Sequence, residues 1–190
     1  MADHYFYAVY LEAPVKDELQ EIMPGLKKTL PFTKWVHRDD WHITLAFLGA
    51  ADEGQLAKTN RAIVEGTENY PCFSLTLDRL GTFGKKTEPR IFWAGTARSE
   101  PLLALQKKIY RHCMNAGFQL DKKPFNPHIT LARKWRGNDP FHTTALENII
   151  KTPVSFPVTR IVLYRTYPDR TPKYEIQRSF YLKGAEGKKF

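Results

Sequence analysis

The amino-acid sequence predicts an α+β fold of two pseudo-symmetric lobes, each an antiparallel sheet flanked by helices, with a central cleft between them. Three observations carry that prediction. The string His-Ile-Thr-Leu-Ala occurs twice, at 42–46 and at 128–132, a separation of 86 positions (128 minus 42). Both copies have the apolar–polar alternation of a half-buried strand. Around each copy the chain runs through a similar mixture of helical and extended stretches. The 190 residues therefore read as one bilobal domain of two half-repeats, about 1–84 and 85–183, with a tail at 184–190 expected to be disordered.

Residues 5–11, "YFYAVYL", are aromatic and β-branched and suit an opening strand. Pro14 starts a helical stretch to about Leu30, with Leu19, Ile22, Met23 and Leu26 near 3.6-residue spacing. The first repeat, 42–48, is a strand ended by Gly49; a helix follows at about 52–66, and 72–80 alternates like a half-buried strand. The Gly- and charge-rich stretch 81–90 reads as a loop between the halves. "IFWAGTA" (91–97) is a strand, 99–117 a helix with Ser99 as cap and Gly117 as stop, and 127–133 the second repeat strand. A short helix at about 139–150 leads to two closing strands, 158–167 and 174–182.

Composition excludes several classes. With 42% hydrophobic and 26% charged residues the chain is not a disordered one. Cys72 and Cys113 are too few for a disulfide framework and form no CxxC, so both are expected as buried thiols in a reducing compartment. No apolar run approaches the length of a membrane span, and the first twenty residues lack the pattern of a secretory signal. A cytoplasmic monomer with no membrane partner is expected. The net charge of +9 comes largely in pairs such as Lys85-Lys86 and Arg133-Lys134, which suits a polyanionic partner such as nucleic acid or simply a solvated surface.

Alternation along a strand assigns faces to the repeat. Ile43 and Leu45 share one face, and His42 and Thr44 the other; Ile129 and Leu131 oppose His128 and Thr130 in the same way. The apolar pairs anchor each strand to its own core and leave two His–Thr pairs to line the space between the lobes. Histidine exchanges a proton near neutrality, and threonine offers a hydroxyl donor two residues along. One base, one acid and two hydroxyls suit displacement at phosphorus, in which water is deprotonated on one side and a leaving oxygen protonated on the other. A metal centre is the main competing reading, because Asp39 and Asp40 precede His42. HxT is, however, not a ligand spacing such as HExxH. No GxSxG or equivalent nucleophile pattern is present.

With both HxTx motifs and their flanks, "WHITLAFLG", "EPRIFWAG" and "PFNPHITLAR", the chain resembles the two-histidine (2H) phosphoesterases. Within them it is most similar to the bacterial and archaeal RNA 2′,3′-cyclic phosphodiesterases, also called 2′-5′ RNA ligases. The resemblance runs from the first strand to about residue 183. It implies metal-independent, cofactor-free hydrolysis of a 2′,3′-cyclic phosphate at an RNA or nucleotide end, leaving a 2′-phosphate. Carried over by position, His42 donates a proton to the departing ribose O3′, and His128 accepts one from water. Thr44, Thr130 and Arg133 bind the phosphate.

In an unbroken strand Arg133 would point into the core with Ile129 and Leu131, where an unpaired guanidinium is too costly, so the strand is expected to twist, bulge or end near Ala132. His4, His37, His112 and His142 lack a matching threonine and are read as surface or structural, and Trp41 and Trp93 as core or cleft wall. An aromatic side chain should stack on the substrate base, with Phe6, Phe83 and Phe125 as candidates. Two further readings stand beside cyclic-phosphate hydrolysis. One is 2′-5′ ligation, the same chemistry reversed with an RNA hydroxyl in place of water. The other is a non-catalytic module that binds RNA ends, which would not require two titrating histidines.

Overall fold

The structure, a computed structural model, describes residues 4–147 and 149–185; the expected disordered tail lies mostly outside them. Nine strands form one antiparallel sheet among the described residues, in the order β7-β4-β5-β6-β3-β1-β8-β9, with β2 pairing to β6 off that path. The strands are β1 (His4–Tyr10), β2 (Phe32–Trp35), β3 (His42–Ala50), β4 (Phe73–Gly84), β5 (Pro89–Thr96), β6 (His128–Trp135), β7 (Val154–Val158), β8 (Arg160–Thr166) and β9 (Tyr174–Tyr181).

Three helices cover this sheet among the described residues. In α1 (Ala13–Thr29) the buried Val15, Leu19, Met23 and Leu26 form one stripe, and Lys27 and Lys28 favour the negative end of the helix dipole. α2 (Glu53–Thr67) starts at Asp52, whose carboxylate accepts from the Gln55 amide at 2.8 Å. α3 (Glu100–Asn115) starts at Ser99, which accepts from the Leu102 amide, and stops before Gly117 at φ +93°. α1 packs on β7, whereas α2 and α3 pack together over β3 and β9.

One lobe is therefore β9-β8-β1-β3 under α2 and α3, and the other is β7-β4-β5-β6 with β2 and α1. Each lobe draws on both halves of the sequence, and residue 84 is the last residue of β4 within the β4–β5 hairpin. Local patterning assigns strands but not their partners, so it does not reveal this exchange.

The stretch 81–90 differs from the loop its composition suggests: β4 continues through Gly84 and β5 begins at Pro89. The glycine at 81 serves packing rather than a turn, since a Cβ there would sit 2.4 Å from Cζ2 of Trp93. The expected helix at 139–150 is only a 3-10 turn, Thr143–Leu146. Two strands had no clear sequence signal. β2 has four residues and no alternation of burial, and β7 contains Pro157, which a sheet edge tolerates.

Cys113 is buried, as expected, and burial pushes its thiol pKa up to about 12; Cys72 is only partly buried. No helix among the described residues is long and apolar enough to cross a membrane.

Candidate active site

The two repeat strands lie side by side. β3 and β6 pair antiparallel through one residue pair, Ile43 with Ile129, both fully buried. Alternation on either side of that pair puts His42, Thr44, His128 and Thr130 on the opposite face, with His42 beside Thr130 and His128 beside Thr44. All four line a single cavity of ≈230 Å³, and Arg133 joins them there. The structure thus brings together all five residues singled out from the sequence.

Arg133 reaches the cavity because β6 bulges. Phe92 pairs with Ala132 and Trp93 with Thr130, so Leu131 is an extra residue on its strand. Leu131 and Ala132 are consecutively buried, and the alternation resumes one step out of phase with Arg133 exposed. β3 repeats the device. Tyr7 pairs with Ala46 and Ala8 with Thr44, leaving Leu45 extra and turning Phe47 outward. Phe47 is the pseudo-symmetric counterpart of Arg133 and lines the same cavity at 55% exposure.

Both imidazoles are held alike. His42 donates from Nδ1 to the Asp40 carbonyl at 2.7 Å, and His128 donates from Nδ1 to the Asn126 carbonyl at 2.8 Å. Nδ1–H of each ring is thereby committed to the backbone, which leaves Nε2 as the basic nitrogen of the neutral ring. In the neutral ring, Nε2 of His42 accepts from the Thr44 hydroxyl at 3.0 Å. Burial pushes the pKa of His42 down to about 4; the Asp40 carbonyl opposes this, and the charges of His128, Arg133 and Lys16 add to it. Burial likewise lowers His128, with Arg133 acting in the same direction. The free site therefore favours two neutral histidines beside a fixed cation, an environment that an anion would reverse.

Asp40, weighed above as a metal ligand, is occupied otherwise. Its buried carboxylate accepts from the Lys173 amide at 2.8 and 2.9 Å and from the Tyr174 amide at 3.0 Å, pinning the start of β9. Among the described residues no three of His, Cys, Asp and Glu converge as metal ligands.

Aromatic rings wall both histidines. Phe6 and Tyr174 stand 4.7 and 5.2 Å from His42, and Phe83 stands edge-on 4.9 Å from His128. Of the three stacking candidates, Phe6 is buried, Phe83 flanks His128, and Phe125 lies on a separate groove beside α3. Phe47, not foreseen, is the exposed aromatic on the cavity. Strict alternation would place it with Ile43 in the core, so only the bulge reveals it. Trp93 flanks His128 and Trp41 is buried, as expected. His4 lies at the cavity wall, and His112 packs beside Gly66 between α2 and α3.

Two His–Thr pairs facing one cavity from two lobes of a continuous antiparallel sheet define a two-histidine phosphoesterase. The family model of the 2′-5′ RNA ligase superfamily matches residues 11–170, and the chain belongs to that superfamily. Two relatives, each named RNA 2′,3′-cyclic phosphodiesterase, are similar over nearly all of this chain. The one from Geobacillus stearothermophilus is 44% identical over 96% of this chain, which spans 58% of that protein's length. The one from Bacillus subtilis is 34% identical over 94% of this chain and 96% of its own. Among solved structures, a Thermus thermophilus protein superposes with a TM-score of 0.78 at 25% identity, covering 95% of this chain and 98% of that one. E. coli LigT in complex with 3′-AMP shares the fold, with a TM-score of 0.76 at 23% identity over 96% and 99% of the two chains.

Proposed function

We propose that this protein hydrolyses 2′,3′-cyclic phosphate ends of RNA to 2′-phosphates by acid–base catalysis between His42 and His128, without a metal. The observation that carries the reading is the convergence of two His–Thr pairs and Arg133 on one cavity. The names of the similar proteins point to the same substrate.

In this mechanism the cyclic phosphate lies between the two Nε2 atoms, and Thr44, Thr130 and Arg133 hydrogen-bond its non-bridging oxygens. His128, neutral, takes a proton from water as the water oxygen bonds to phosphorus. The P–O3′ bond breaks, and protonated His42 gives its proton to O3′. The phosphate monoanion supplies the counter-charge that an imidazolium in this cavity otherwise lacks, so binding and protonation of His42 are coupled. Ligation is the same step reversed and calls on the same residues. The residues proposed for the reaction are all side chains of this chain, and the protein acts as a cytoplasmic monomer on RNA ends.

The test is incubation with an oligonucleotide bearing a 2′,3′-cyclic phosphate in EDTA, followed by phosphorus NMR of the product. A 2′-phosphate is expected. A 3′-phosphate would overturn the assignment of the leaving oxygen. Activity lost in EDTA and restored by a divalent ion would replace the acid–base reading with a metal one.

A further inference from the structure

The cavity holding the histidines is not the largest concavity on the protein. A groove of ≈690 Å³ lies beside it, lined by Arg90, Arg133, Lys134 and Arg136. Arg133 lines both spaces, so the groove adjoins the active-site cavity.

The backbone is shaped to gather these cations. Ile91 pairs with Arg133, which sets Arg90 on β5 across from Lys134 on β6. Lys134 has φ +63°, a left-handed conformation disfavoured for a lysine, and it breaks the alternation of the strand. Arg133, Lys134 and Arg136 are consequently all exposed, while Trp135 turns inward against Phe32 and Phe141. Gly137 lets the chain fold over that indole, since a Cβ there would approach Cζ2 of Trp135 to 2.5 Å. The one carboxylate on the groove, Glu88, is engaged by Lys85 at 3.6 Å. No side chain of the four cations forms an ion pair among the described residues. The groove thus gathers unneutralised positive charge, which suits a polyanion.

We propose that this groove holds the phosphodiester backbone of the single RNA strand whose cyclic end enters the cavity, with Arg90, Lys134 and Arg136 contacting phosphates upstream of the reacting one. The proposal rests on the function proposed above and makes an oligonucleotide the preferred substrate over a cyclic mononucleotide. An acidic peptide would find the same charge, but a strand ending in the cavity also engages Arg133, which groove and active site share.

The experiment compares a tetranucleotide ending in a 2′,3′-cyclic phosphate with a 2′,3′-cyclic mononucleotide. The enzymes are the wild type, the triple variant Arg90→Gln/Lys134→Gln/Arg136→Gln and the single variant Arg136→Glu. The triple variant is expected to lose about tenfold or more in kcat/KM on the tetranucleotide, through KM, with unchanged kinetics on the mononucleotide. The slope of log kcat/KM against log salt for the tetranucleotide should become shallower by about 2, as expected for three lost phosphate contacts on a single strand. Arg136→Glu should show the same selectivity. Equal losses on both substrates, or none on either, would overturn the groove. Anisotropy of a labelled tetranucleotide ending in a 2′-phosphate reads the groove without turnover, and unchanged affinity in the triple variant would overturn it too. If the wild type hydrolyses neither substrate but the affinity difference by anisotropy remains, the function fails and the groove stands.

Discussion

Ile43 and Ile129 are cross-strand partners at the centre of the sheet, and their pairing is the one register contact between β3 and β6. Each is fully buried and each is flanked by a histidine and a threonine facing the cavity. This apolar pair therefore fixes both the joint between the lobes and the spacing of the cavity-facing histidines and threonines. Ile129→Ala should cost about 2–5 kcal/mol by creating a cavity there. For a chain of this size that lowers Tm by roughly 4–20 °C. At a temperature where the variant stays folded, kcat should still fall, because the histidines lose their shared support. Calorimetry with kinetics at about 25 °C checks this; a lower Tm with unchanged kcat would show that the cleft is set elsewhere.

Phe47 offers its ring to the cavity at the position that mirrors Arg133. A base stacked on an aromatic side chain is worth about 1–3 kcal/mol. Phe47→Ala should raise KM for a cyclic mononucleotide by about 5- to 150-fold and leave kcat nearly unchanged, whereas Phe47→Tyr should restore KM. A loss confined to kcat would count against stacking.

Arg133 and Phe47 also mark how far the sequence is legible. The two bulges are alike, yet only one announces itself. A guanidinium on the core face is a contradiction, so the sequence alone requires β6 to break its alternation near Ala132, and it does so at Leu131. A phenylalanine on the core face is no contradiction, so the bulge at Leu45 leaves no trace in the string "HITLAFLG". The His–Thr faces follow from period-2 alternation before any bulge intervenes, which is why the cavity set could be read directly. The exchange of strands and helices between lobes depends on long-range pairing, and local pattern carries no record of it.

The enclosed His42 should make stability pH-dependent. The unfolded chain takes up this proton near pH 6.5 and the folded chain only near 4, so between those values the unfolded state binds more protons and stability falls as pH falls. The ring edge opens on the cavity, and the contribution of His42 is about 1–3 kcal/mol between roughly pH 7.5 and 4.5. Urea unfolding at both pH values should show that His42→Gln loses less stability on acidification than wild type does. Equal losses would mean that His42 is protonated normally in the fold.

The assignment of acid and base makes the sharpest kinetic prediction. Replacing His42 or His128 by Ala should cost about 10²- to 10⁴-fold, mostly in kcat. Thr44→Ala or Thr130→Ala should cost about 10- to 150-fold, the worth of a hydroxyl bonded to a charged phosphate. Catalysis needs one histidine charged and one neutral, so wild type should give a bell-shaped pH–rate profile. In the free protein burial lowers both histidines, which puts the limbs of kcat/KM on the acid side of the ordinary histidine range. In the complex the phosphate anion raises both, so the limbs of kcat should lie at higher pH than those of kcat/KM. His42→Ala should lose the high-pH limb and His128→Ala the low-pH limb. A substrate with a good leaving group in place of O3′ no longer needs the acid, and should rescue His42→Ala while His128→Ala stays impaired. Rescue of His128→Ala instead would reverse the two roles, and rescue of neither would reject acid–base pairing.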